Sequence, residues 1–94
     1  MKLLVEEVRR APERALAVQY KGGEGQGQAI LLWAAEHGFP GGHYRSGLDG
    51  GAVFLAAHPI VHRATIGDWV VIGEDHGLAV LTEMEFAMKW ERPE

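Results

Sequence analysis

Five histidines, thirteen carboxylates and a glycine run are the residues of this chain with the most chemical potential. His58 and His62 are four apart, the spacing that presents two metal ligands on one face of a helix. Pro59 and the β-branched Ile60 and Val61 between them favour an extended chain instead. There the two imidazoles would stand ~13 Å apart, too far to share an ion. No cysteine or carboxylate lies within the stretch, and no metal is expected. Gly22-Gly23-Glu24-Gly25-Gln26-Gly27 precedes a helical pattern, the place where a glycine loop can cradle phosphate. The G-x-G-x-x-G spacing fails, because Gln28 holds the third glycine position after Gly23 and Gly25. No Gly-Lys-Ser/Thr follows, so the run reads better as a flexible connection whose glycine caps the helix. Ser46 is the only serine, and Tyr44-Arg45-Ser46-Gly47-Leu48 is not a nucleophile elbow. His37, at a helix end, is accounted for by the helix dipole when charged. Glu74, Asp75 and His76 cluster at a hairpin tip, where polar residues serve turn chemistry and an exposed acidic tip can face a partner. The sequence thus nominates no catalytic residue and no cofactor.

Leu16, Val18 and Tyr20 alternate with Ala15, Ala17, Gln19 and Lys21, the period of a half-buried strand over Ala15 to Lys21. Pro12 makes the segment before it an edge strand, a bulge or an irregular arm. Ile30, Trp33, Ala34 and His37 fall at i, i+3, i+4 and i+7, so a helix is expected from Gln26 to His37, with Gly38 as its stop. Leu32 sits between Gln28 and Glu36 on its polar side, an exposed leucine that hints at a contact surface. Gly41 to Gly51 is loop-rich, with a short strand around His43 to Arg45. Ala52 to Ala57 is apolar on both faces, as a central or covered strand would be. Ile60 to Ala64, Trp69 to Ile72 and Leu78 to Leu81 are further short strands, the last two joined by a glycine-containing hairpin turn. Thr82 and Glu85 fit a capping box and one helical turn. Phe86, Met88 and Trp90 then alternate with polar neighbours, which favours a final strand.

One helix among five or six short strands with hairpin-length connections is an α+β pattern. The expectation is a single domain over residues 1–94, a mainly antiparallel sheet with the helix packed on it. Its core should join Ile30, Trp33 and Ala34 to Leu16, Val18, Val53, Leu55, Trp69, Val71, Val80 and Phe86.

Composition narrows the partners. Apolar residues make up 47% of the chain, the globular average. The absence of cysteine favours a reducing compartment and excludes disulfides and thiol catalysis. The apolar run from Ala29 to Ala35 is far short of the ~20 residues that span a bilayer, so no membrane is expected. The charged residues from Glu6 to Arg10 cut off the apolar start, which therefore does not read as a signal peptide. Net charge is −4, and Arg9, Arg10 and Arg14 are interleaved with Glu6, Glu7 and Glu13, an ordinary solvated face. Nucleic acid is not an expected partner.

Ala17-Val18-Gln19-Tyr20 followed by a glycine, a helix holding Ile30 and Trp33, then Gly67-Asp68-Trp69-Val70-Val71-Ile72-Gly73, and Phe86 with Trp90-Glu91 occur here in one order. In this the chain resembles a group of small proteins encoded by bacteriophages and prophages, marked by an "AVQ(F/Y)-G" strand and a "GDW(I/V)(I/V)-G" block. It departs from the group at Val80-Leu81-Thr82-Glu83-Met84, where the group carries a cysteine and a proline. The resemblance implies a phage product of unassigned function with no catalytic residues to carry over.

Together these readings lead to a non-enzymatic phage accessory protein in the bacterial host cytoplasm that binds a host protein. The alternatives are a small-ligand or nucleotide binder using the glycine loop, and a minor virion component. Interface candidates are Leu32, Phe54, Glu74, Asp75 and His76. Leu32 and the two-sided strand around Phe54 also suggest a symmetric homodimer that covers an apolar patch and an unpaired edge. The competing arrangement is a monomer in which the helix covers one face of that strand and the His58 to Ala64 segment the other.

Overall fold

The computed structural model describes residues 2–10, 13–75 and 77–92. Along these residues run β1 (Glu6–Arg10), β2 (Glu13–Gln19), α1 (Glu24–Glu36), β3 (His43–Arg45), β4 (Ala52–Ala57), β5 (Ile60–Ala64), β6 (Trp69–Gly73), β7 (Leu78–Leu81) and α2 (Glu83–Lys89). The strands form two antiparallel sheets, of order β1-β2-β6-β7 and β3-β4-β5. The α+β class expected from the pattern holds, with the strands divided between two sheets rather than joined in one.

The segment before Pro12 is an edge strand, paired with β2 from Glu6↔Ala17 to Arg10↔Glu13. Its outer side is closed by Glu91, whose N–H donates to the Arg9 carbonyl at 2.8 Å and whose carbonyl accepts from the Arg9 N–H at 2.9 Å. Pairing with β1 starts β2 at Glu13, two residues before the alternation becomes visible. Helix α1 likewise starts at Glu24 rather than Gln26. Its N-cap is Gly23, at φ 94°, a left-handed backbone that suits glycine.

The first core joins Val18, Val70 and Ile72 of the larger sheet, and Tyr20 just past the end of β2, to Val53, Leu55 and Ala64 of the smaller sheet and to Ile30, Trp33 and Ala34 of α1. The second lies on the opposite face of the larger sheet and holds Val8, Ala15, Ala17, Trp69, Val71, Leu81 and Phe86. Strand β2 is buried on both faces, not one, because Ala15 and Ala17 face the second core. Trp69, Val71 and Phe86 belong to that second core and do not meet α1; Leu16 and Val80 are only partly buried against the first.

The final strand expected from Phe86, Met88 and Trp90 is instead helix α2. Thr82 and Glu85 cap it reciprocally: the Glu85 N–H donates to Thr82 Oγ1 at 3.2 Å, and the Thr82 N–H donates to Glu85 Oε1 at 2.9 Å. Phe86 and Trp90 are four apart, so one helical face carries both onto the sheet while Met84 and Met88 stay exposed. The spacing of the two aromatics suits a strand and a helix equally, and the capping box selects the helix.

Candidate functional site

Strand β4 is the centre of the smaller sheet, with both of its edges paired, to β3 and to β5. The unpaired edge that an uncovered β4 would have offered a dimer is therefore taken up by its two neighbours, and the segment from Ile60 runs beside β4 rather than over its face. On its inner face Val53 and Leu55 are buried against α1. On its outer face stands Phe54, half-buried. The register places His43 of β3 on one side of Phe54 and Arg63 of β5 on the other. The His43 and Phe54 rings stack, with centroids 4.7 Å apart and planes 5° from parallel. Arg45 pairs with Ala52 one row along, and Val61 with Ala56 one row the other way. His43, Arg45, Val61 and Arg63 are all exposed.

This face is unlike the rest of the molecule in charge. No strand residue of the smaller sheet is acidic, although the chain carries 13 carboxylate residues. Beside it opens a recess of ≈430 Å³ lined by Arg45, Ser46, Asp49, Ala52, Phe54 and Arg63. An aromatic platform between two guanidinium groups offers apolar contact at its centre and directional donors at its rim, which suits carboxylates that come with an apolar neighbour.

The other candidates fall elsewhere. Leu32 is exposed on α1, which packs on the inner face of the smaller sheet, so Leu32 and Phe54 lie on opposite sides of that layer. Glu74 and Asp75 form the turn between β6 and β7 in the other sheet, where Asp75 Oδ1 accepts from the Gly77 N–H at 3.1 Å. His76 lies outside the described residues. The structure thus leaves Phe54 apart from the other described candidates and surrounds it with His43, Arg45 and Arg63, which the sequence reading did not nominate. A signal for them existed: Asp49 is the only carboxylate between Glu36 and Asp68.

Two glycines of the run have structural reasons to be there, Gly23 through its backbone conformation and Gly27, within the first turns of α1, through packing. Gly23 is the left-handed N-cap, and a Cβ on the buried Gly27 would meet the Tyr44 ring. His58 occupies the turn of the β4–β5 hairpin, whereas His62 is paired opposite Leu55. Among the described residues no three His, Cys, Asp or Glu side chains come together as a metal-holding group. His37 is the C-cap of α1 and packs edge-on against Trp33 at 5.5 Å. It also borders a groove of ≈550 Å³ floored by Leu16 and Ile72, with Glu7, Arg9 and Glu74 at its sides. No described helix is long and apolar enough to cross a membrane. Compared with protein-family models, with curated proteins and with solved structures, the chain gives no significant match.

Proposed function

We propose that this chain is a non-enzymatic binding protein, a bacteriophage accessory product, that engages an acidic segment of a bacterial host protein in the host cytoplasm. The observation that carries the reading is the outer face of β3–β4–β5: a stacked His43–Phe54 pair between Arg45 and Arg63, on strands without a carboxylate. Aromatic and arginine side chains together are the commonest energetic centres of protein interfaces. A face of opposite sign to the net charge of −4 selects a partner of complementary sign. Self-pairing of this face around a two-fold axis would set Arg45 and Arg63 against their own copies, which favours a different partner over a homodimer. The phage origin rests on the sequence resemblance alone.

Arg45→Glu/Arg63→Glu tests this directly, since exposed substitutions of this kind change stability by roughly 0.5 kcal/mol or less. Wild-type protein used as bait in bacterial lysate should recover a host protein. The purified pair should bind with salt-sensitive affinity, and the charge-reversed variant should lose about tenfold or more. Light scattering of the bait alone should give a monomer. Undiminished binding by the variant would overturn the site, recovery of phage structural proteins would favour the virion role, and tight binding of a single-stranded oligonucleotide would replace the protein partner.

A further inference from the structure

The outer face of the smaller sheet is graded along its strands, and the pairings fix the order of its rows. At one end Arg45 stands opposite Ala52. The middle row holds His43, Phe54 and Arg63. At the other end Ala56 pairs with Val61. A Cβ placed on Gly41 would come 3.9 Å from that of Ala56, so Gly41 completes this row. The bulk lies in the middle, in the stacked His43 and Phe54 rings. The next outward-facing residues of β4 on either side of Phe54 are alanines, so the aromatic pair is a ridge with a depression before and behind it.

The two depressions differ in chemistry. Around Ala52, which is only 7% exposed, lies the recess between Arg45 and Arg63, closed at its end by the connection from β3 to β4 with Ser46 and Asp49. Two guanidinium groups against one carboxylate leave this end cationic, and guanidinium groups suit carboxylates because they can bind them with two parallel hydrogen bonds. The depression over Ala56 is bordered by Gly41 and by Val61, which is 62% exposed. That end offers apolar contact alone. An occupant of the whole face therefore carries a carboxylate at one end and an apolar group at the other.

Distance decides the conformation of that occupant. Ala52 and Ala56 are four residues apart on one strand, roughly 13 Å. An extended segment laid along β4 also sets residues four apart on one side, at the same separation. A helix covers ~13 Å in about nine residues, and at ~100° each these two side chains point to opposite sides. We infer, resting on the reading of this face as the site for an acidic protein segment, that the segment binds in extended form. Its Glu or Asp carboxylate enters the Ala52 recess between Arg45 and Arg63. An apolar side chain four residues away, in either chain direction, lies on Ala56 and Val61. The residue midway meets the His43–Phe54 ridge, where a small side chain leaves both depressions within reach.

End-blocked synthetic peptides test the pattern without the partner. Glu and Leu are set two, three, four, five or six positions apart in a Gly/Ser background, in both orders. Titrations are followed through the methyl groups of Ala52 and Ala56 in ¹H–¹³C spectra. Binding should peak at a spacing of four, in one order or both, roughly threefold to fivefold tighter than at three or five, the worth of about one exposed ion pair. In that peptide Glu→Gln should weaken binding to the wild type by a similar factor and make no difference to Arg45→Gln/Arg63→Gln. Leu→Ser should likewise matter to the wild type and not to Val61→Ser; all three substituted positions are exposed. Equal binding at every spacing that is still lost in Arg45→Gln/Arg63→Gln would keep the acidic partner and overturn the extended pattern. No response of either methyl group to any peptide would overturn both.

Discussion

Tyr20 is a residue whose chemistry the fold alters. Its side chain is fully buried, and its hydroxyl donates to the Gly50 carbonyl at 2.7 Å, tying the end of β2 to the loop before β4. Burial, with the Tyr44 hydroxyl beside it, pushes its pKa up from 10.0 to about 12. The folded state thus holds the phenol proton more tightly than the unfolded chain. The stabilisation is complete below pH 10 and is lost as pH rises towards 12. Two pKa units correspond to about 2–3 kcal/mol. Urea unfolding followed from pH 9 to 12 should show stability falling across that window. In Tyr20→Phe that part of the fall should be absent, against a cost of about 1–2 kcal/mol at neutral pH for leaving the Gly50 carbonyl unpaired. An unchanged alkaline slope in the variant would place the effect on other groups. Tyr20 was legible as an inward strand residue, since Leu16, Val18 and Tyr20 do share a face. Its hydroxyl partner was not, because Gly50 lies thirty positions away and only the tertiary fold brings it near.

Among the elements, α2 shows where local signals suffice and where they compete. The capping box at Thr82 was readable four letters at a time, and it starts the helix where expected. The alternation after it pointed to a strand. A helix of seven residues has little intrinsic stability, so the cap and the contact of Phe86 with Trp69 have to hold it. Thr82→Ala should therefore cost about 1 kcal/mol, lowering the melting temperature by about 4–8 °C in a domain of this size. A melting temperature unchanged in Thr82→Ala would show that α2 is held by Phe86 alone. The Phe54 face was half-legible in the same sense. That β4 is apolar on two sides could be read, and so could Phe54's place on the outer one. Its neighbours His43 and Arg63 are set by the registers of two separate pairings, and a slip of one residue in either would turn them to the inner face. Sequence spacing does not contain that register.

At the scale of the molecule, the smaller sheet carries the cationic aromatic face while most carboxylates lie outside it, so the chain presents two electrostatic characters under one net charge of −4. The larger sheet does something different: β2 and β6 form the wall between the two cores, and neighbouring residues such as Val70 and Val71 belong to different ones. Neither strand can open locally without exposing both interiors to water. Their amide hydrogens should accordingly exchange with solvent only through complete unfolding, at the slowest rates in the chain, while those of β3, held on one side by β4, should exchange through smaller openings. Native-state hydrogen exchange checks this: amides of Val18, Val70 and Val71 should share one opening free energy equal to that of global unfolding. A lower value for β6 than for α1 would mean that the two cores come apart independently, and that the molecule is two cooperative units sharing a partition rather than one.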